Sequence, residues 1–265
     1  MSPDELTRDG PVSAPELVAT DLIPDPIEFL NCAEPEIEGR MPWSSNGTFL
    51  VTMRSGGAGN GDREHDGDTT SEQRAIYKPV RGERPLWDFE PGLHRRELAT
   101  YVLSELLGIG AVPPTVIRDG PLGEGSFQWF VDADHREHYF TIFEQYEHLH
   151  DRLREIAVLD ILANNTDRKS GHCLLAADRI WAIDNGLCFS REFKLRTVIW
   201  EFAGEDVTDA LLDRVAPLVD HVPDELADLL DDDEIVALRH RATKLVTERI
   251  LPHDETGRRY PWPLV

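Results

Sequence analysis

The sequence predicts an α+β protein of two lobes, a β-rich N-terminal lobe and a mainly helical C-terminal lobe. Three observations predict it. Short segments rich in β-branched and aromatic residues dominate to about residue 146. From Asp151 onward, apolar residues recur at helical spacing. The 265 residues, 40% of them apolar, suffice for one large domain or two lobes that share a core. Strands first and helices last is the α+β order. The expected division is an acidic, Pro-rich arm over 1–35, an N-lobe over 36–146 and a C-lobe over 147–265.

The arm carries only short apolar groups, with a small helix near Pro26–Leu30. Gly47–Met53 alternates as a strand, and Arg74–Val80 is a second, stopped by Pro79. The stretch between them, SGGAGNGDREHDGDTTSEQ, has no apolar anchor and reads as a hairpin loop. His94–Leu107 places Leu98, Tyr101, Val102 and Leu106 at helical spacing, and Gly108 is a helix stop. Three strands are expected next, at Thr115–Arg118, Phe127–Val131 and Tyr139–Glu144, with DGPLGEG turning between the first two. LREIAVLDILA then reads as an apolar helix. The strands His172–Ala176 and Ile180–Ile183 follow, and helices over Asp206–Val219 and Asp232–Ile250 close the chain. No internal repeat is present.

Charge excludes several functions. Lys and Arg number 27 against 50 Asp and Glu, a net charge of −23. Such a surface repels phosphate backbones and anionic headgroups, which argues against a nucleic-acid partner. No apolar run is long enough to span a bilayer, and the acidic first residues do not resemble a secretory signal, so stable membrane insertion is not expected. Three cysteines without a CxxC pair fit a reducing cytoplasm. His135, His138, His148 and His150 match no zinc spacing and read as loop histidines. No Gly-x-Ser-x-Gly elbow offers a serine nucleophile. Cys173 and Cys188 lie in apolar surroundings and read as inert thiols.

The chemistry concentrates in NNTDRKSGHCLLAADRIWAIDNGL, residues 164–187. Asp167 and Asp184 stand at the ends of regular elements with a hairpin between them, so both can point into one cleft. Such a pair suits phosphoryl transfer: one carboxylate orients or deprotonates the acceptor hydroxyl, and the other holds a metal against the phosphates. Each aspartate alone also fits an ordinary turn, so other residues must decide. Lys78, one of four lysines, lies within the apolar strand IYKP. It is either a solvent-facing lysine or the grip on nucleotide phosphates, and the second role needs an acidic partner on a following helix. Glu97 in HRRELATYVL stands at a suitable place.

Read in order, WSSNGTFLV…AIYKPV, RRELATYVLSELLGIGAVPPTVI and NNTDRKSGHCLL…WAIDNGLCF resemble the phosphatidylinositol 3- and 4-kinase superfamily. The likeness is strongest to the type II phosphatidylinositol 4-kinases and their actinobacterial relatives, and covers about residues 43–190. It implies a protein-kinase-like fold. It also implies that Ser44, Ser45, Asn46 and Gly47 form the loop over the nucleotide phosphates, where small residues let backbone N–H groups approach oxygen. Gly57–Gly61 looks similar but runs into Asp62, Glu64, Asp66 and Asp68, which oppose phosphate, and reads as the hairpin tip. By the same resemblance Lys78 is the ATP lysine and Glu97 its partner. Glu144 and Tyr146 fall at the interlobe hinge, Asp167 with Arg168 forms the catalytic pair, and Asp184 is the metal-binding aspartate. Where the family places an Asn, this sequence has His172, which serves either as a hydrogen-bonding loop residue or as a ligand suited to softer metals than Mg²⁺.

The implied function is an ATP-dependent phosphotransferase using Mg²⁺ or Mn²⁺, cytoplasmic, with a small polyol, an inositol-type molecule, a protein or a lipid as hydroxyl acceptor. Two alternatives remain open at this point: a pseudokinase-like nucleotide-binding module, which His172 favours, and an atypical protein kinase. LWDF at 86–89 reads as lobe packing or as a contact to membrane or substrate.

Overall fold

A computed structural model describes residues 25–42, 44, 46–55, 71–87, 89 and 91–264. The expected hairpin tip within 56–70, the first 24 residues and Ser45 lie outside them.

The N-terminal part is a five-stranded antiparallel sheet in the order β1-β2-β3-β5-β4. Its strands are β1 (Glu34–Arg40), β2 (Phe49–Ser55), β3 (Ser71–Pro79), β4 (Thr115–Gly120) and β5 (Gly123–Trp129). Side chains alternate across it. Val51, Met53, Ala75, Tyr77, Val116, Phe127 and Trp129 form one buried face. Helix α1 (Pro26–Cys32) covers that face with Phe29 and Leu30. Asp25 caps α1 by accepting hydrogen bonds from the N–H groups of Ile27 (2.9 Å) and Glu28 (3.1 Å), and Pro26 holds the first position. The small helix expected near Pro26–Leu30 is thus present as Pro26–Cys32, and Glu34 and Pro35, expected within the loose arm, begin a strand.

Strand β1 itself was not expected, because EPEIEGR has no apolar alternation. It is an edge strand held by polar contacts. Glu36 pairs with Arg54, Glu38 pairs with Arg74 at 2.9 Å, and Glu38 accepts the Thr52 hydroxyl at 2.6 Å.

The other face of the sheet carries Lys78 and packs, through β4 and β5, on α2 (Leu93–Leu106). Helix α2 also sends Ala99 and Leu103 into the core of the C-terminal part, so it joins the two. That core gathers Leu153, Ile156, Leu159 and Leu162 of α4 (His150–Ala163) with Leu238, Ala242 and Leu245 of α8 (Asp232–Glu248). Between these helices lie the hairpin β6 (Cys173–Ala176) and β7 (Arg179–Ala182) and the short helices α5 (Asp209–Val215), α6 (Pro217–Asp220) and α7 (Asp224–Ala227).

Two expectations need correction. Tyr139–Glu144 is not a strand but the start of helix α3 (Tyr139–Gln145). Its aromatic, β-branched composition suggested a strand, yet Tyr139 and Ile142 stand one turn apart and both are buried in the C-terminal core. The helix expected over Asp206–Val219 is split into α5 and α6, because Pro217 has no N–H to continue the ladder.

Candidate active site

Between β1 and β2, Asn46 and Gly47 lie on the turn that follows β3. Gly47 donates its N–H to the Gly82 carbonyl at 2.9 Å. A Cβ on Gly47 would stand 2.9 Å from the Gly82 Cα, so this approach requires glycine. Ser44 and Thr48 share a hydroxyl contact of 2.7 Å, and the Asn46 side chain accepts the Arg84 N–H at 3.1 Å. Ser44, Asn46 and Gly47 thus line the rim of a cleft whose lining also includes Lys78, Glu97, Asp167, Asp184 and Leu187.

Lys78 projects from β3 between buried neighbours Tyr77 and Pro79 and binds two carboxylates. One is Glu97 of α2, and the other is Asp184 at 2.8 Å. Burial alone would pull the Lys78 ammonium down, but Asp184 and Glu97 more than offset it and hold it above its ordinary value. Glu97 is almost fully buried, and its second oxygen accepts the Asn185 N–H at 3.0 Å. One carboxylate therefore fixes both the lysine and the backbone beside Asp184. The Glu83 carboxylate caps α2 through the N–H groups of Gly92 (3.0 Å) and His94 (3.1 Å).

Both aspartates follow from local folding. Helix α4 ends at Asn164, whose φ of 52° is left-handed. The Asn164 amide donates to the carbonyls of Ser190 (2.9 Å) and Glu192 (2.7 Å), and its carbonyl accepts the Lys194 N–H at 2.9 Å. The catalytic-type loop and the segment after Asp184 are tied together in this way. The two-residue turn Ala177–Asp178, with φ of 50° and 57°, closes the β6–β7 hairpin and returns the chain beside Asp167. Asp184 itself sits at a φ of 58°. Such backbone is costly outside glycine and is held here by its surroundings.

Asp167, His172 and Asp184 each present a ligand atom within 4.8 Å of the others. The His172 Nδ1 lies 2.8 Å from the Asp167 carbonyl, which can only accept, and 3.4 Å from the Lys169 N–H, which already donates to that carbonyl at 2.9 Å; the shorter contact assigns the hydrogen to Nδ1. Nε2 then offers a lone pair, 3.4 Å from Asp184 Oδ2. Burial pushes the His172 ring down to about 4, which keeps it neutral near pH 7. Two lone-pair-bearing groups facing each other fit a cation between them. The residues present therefore suit a divalent metal, with a nitrogen in place of one oxygen ligand. Lys78, chiefly, holds the Asp184 carboxyl well below the usual carboxylate range. Burial raises Asp167 despite Lys169 at 2.9 Å, so its carboxylate is a stronger base than an exposed aspartate.

Three sequence-derived site residues stand elsewhere. Arg168 does not face the cleft. It is fully buried, bound to Asp160 at 2.9 Å, to Asn185 at 2.7 Å and to the Ile183 carbonyl at 2.7 Å. It braces the loop from behind. Glu144 and Tyr146 lie at the far end of α3, outside the residues lining the cleft, whereas the chain passes from β5 to α3 over residues 130–138. The sequence reading placed that crossing too late because it took α3 for a strand. It also missed Asp160, Asn164 and Asn185, which frame the loop. A polar Asp160 on the apolar face of LREIAVLDILA was the available signal. His94 and Glu83, which line the cleft, gave none.

Strand lobe, paired lysine and glutamate, and two aspartates at a helical lobe make this a two-lobed, protein-kinase-like fold. No family model matches the chain. It is 37% identical to Protein Rv2133c of Mycobacterium tuberculosis over 93% of this chain and 98% of that protein. It is 28% identical to phosphatidylinositol 4-kinase gamma 4 of rice, over 57% of this chain and 33% of the rice protein. Among solved structures it resembles the Golgi casein kinase with Mn/ADP bound (TM-score 0.47, 15% identity, covering 90% of this chain and 80% of that one). It also resembles hydra Fam20 with sugar (TM-score 0.48, 13% identity, 86% and 91%). The kinase CtkA of Helicobacter pylori gives a TM-score of 0.42 at 11% identity, over 83% and 93%.

Proposed function

The chain belongs to the family of the mycobacterial Protein Rv2133c, and from its cleft we propose that it is an ATP-dependent phosphotransferase acting on a hydroxyl acceptor. The proposed type is phosphatidylinositol 3-/4-kinase-like, a reading that the motif order and the rice relative support. One observation carries it: Lys78 from the sheet, Glu97 from α2 and Asp184 from the helical lobe meet at a single ammonium.

In this reading the Lys78 ammonium and the backbone of the 44–47 loop hold the triphosphate, with Glu97 fixing the lysine. Asp184 and His172, with Asp167 in the same group, would hold Mg²⁺ or Mn²⁺, which neutralises charge on the phosphates when bound. Asp167 accepts the proton of the acceptor hydroxyl. The acceptor oxygen then bonds to the γ-phosphorus, the bond from γ-phosphorus to the β–γ bridging oxygen breaks, and ADP leaves with that electron pair. Catalysis rests on positioning and charge, so small displacements are costly. The space among these residues is about 60 Å³, well below the roughly 300–1,000 Å³ of typical ligand sites. A nucleotide therefore needs the cleft to be wider than it stands here.

The test is phosphate transfer from ATP with Mg²⁺ or Mn²⁺ to a panel of soluble polyols, inositol, phosphatidylinositol vesicles and the protein itself. Transfer is expected, and loss of one carboxylate in Asp184→Asn or Asp167→Asn should lower it by about 100-fold or more. Tight nucleotide binding with no transfer to any of these would replace the enzyme by a nucleotide-sensing module.

A further inference from the structure

The helical lobe holds a second cavity, of about 560 Å³, between α4, α8, the segment around Arg191–Phe193 and the chain after α8. Its volume is that of a small-molecule site. Its lining is unusual for so acidic a chain. Arg191, Arg241, Lys244 and Arg259 border it, against Glu248 and Glu255. Phe193, Leu245 and Ile250 supply apolar wall.

Arg241 is the telling residue. It is 8% exposed, and its Nε donates to the Leu162 carbonyl at 2.7 Å. Its Nη2 is buried and, among the described residues, has no hydrogen-bond partner. A buried, unsatisfied guanidinium nitrogen is expensive, and an arginine left so asks for an acceptor that can meet its planar fork. Burial without a contacting carboxylate also pulls Arg241 down to about 10. The other lining cations lie near carboxylates at longer range: Arg191 is 3.4 Å from Asp233, Lys244 is 3.9 Å from Glu248, which lines the cavity too, and Arg259 is 3.9 Å from Asp254. The Arg259 guanidinium lies over the Phe193 ring, 4.7 Å from its centroid, so charge and apolar surface are presented together.

We propose that this cavity binds a phosphomonoester with an apolar substituent, its phosphate on Arg241 and the rim cations and its apolar part against Phe193, Leu245 and Ile250. The four cations of the lining outnumber its two carboxylates, and a dianion suits that balance better than a monoanion does. The site is separate from the phosphotransfer cleft and does not depend on the function assigned to that cleft. It does share a wall with it in sequence, because Arg191 and Phe193 belong to the segment that Asn164 ties to the catalytic-type loop.

Calorimetric titration of the full chain with phenyl phosphate tests this, beside inorganic phosphate, benzyl alcohol and phosphatidylcholine vesicles containing phosphatidic acid. Saturable one-to-one binding of phenyl phosphate is expected, at least about tenfold tighter than inorganic phosphate, with none for benzyl alcohol. Arg241→Met should weaken it about tenfold or more, and Lys244→Ala, at an exposed position that leaves folding intact, several-fold. Lys78→Met should leave it unchanged, which separates this cavity from the cleft. Binding confined to the phosphatidic acid vesicles and lost in Arg241→Met and Lys244→Ala would support the same chemistry with a lipid as its source. Absence of binding in every arm, binding retained in both Arg241→Met and Lys244→Ala, or binding lost in Lys78→Met would overturn the proposal.

Discussion

His172 shows how one side chain sets both chemistry and stability. Its ring is held neutral by burial, with a pKa of about 4 against about 6.5 in an unfolded chain. Between those values the unfolded state binds more protons than the folded one, so this residue makes stability fall as pH drops from 6.5 toward 4. Relative to His172→Asn, the wild type should lose about 2 kcal/mol between pH 7 and pH 5, read from urea melts at both pH values. A difference that does not change with pH would mean the ring is not held neutral. Arg168 is the opposite case, a charge that must stay. Asp160, Asn185 and the Ile183 carbonyl surround it without solvent. Arg168→Met should leave Asp160 buried and uncompensated and cost about 3–5 kcal/mol in the same melts. A motif residue beside a catalytic-type aspartate thus serves the frame of the loop.

At the scale of elements, the approach of Gly47 to Gly82 sets where the backbone at the rim of the cleft lies, the backbone proposed above to meet phosphate. Gly47→Ala would push a Cβ against backbone at 2.9 Å and lift the loop. The expected result is a KM for ATP raised several-fold, with a stability change of about 1 kcal/mol or less. Elements whose sequence repeats an apolar period were legible: β2, β3, α2, α4 and α8 all appear where spacing placed them, within a few residues. Elements stabilised by other means were not. β1 is held by Glu36 and Glu38 pairing across the sheet, which no apolar period announces. α3 is short, and seven residues carry too little periodicity to tell a helical face from a strand. The cleft divides in the same way. Lys78, Glu97, Asp167 and Asp184 were candidates that the order of the motifs, through their family resemblance, singled out together, and His172 stood out only as a departure from that pattern, whereas Glu144 and Tyr146 depended on a hinge position that only the path from β5 to α3 defines.

For the whole molecule, net charge acts at a distance that no single contact does. At −23 the chain repels an anionic nucleotide until salt screens the field. Raising NaCl from about 20 to about 200 mM should therefore increase kcat/KM for ATP about two-fold or more, at subsaturating nucleotide. A flat or falling profile would mean that the cleft's own cations dominate its approach. Among the described residues, no helix is long and apolar enough to cross a membrane. The joining role of α2 carries one last consequence. Its Glu97 clasps an amine rooted in the sheet with one oxygen and the amide after Asp184 with the other. A small swing of that helix severs both grips in the same stroke. The two grips are therefore made or lost together, which joins the sheet's cation and the helical lobe's carboxylate through a single side chain.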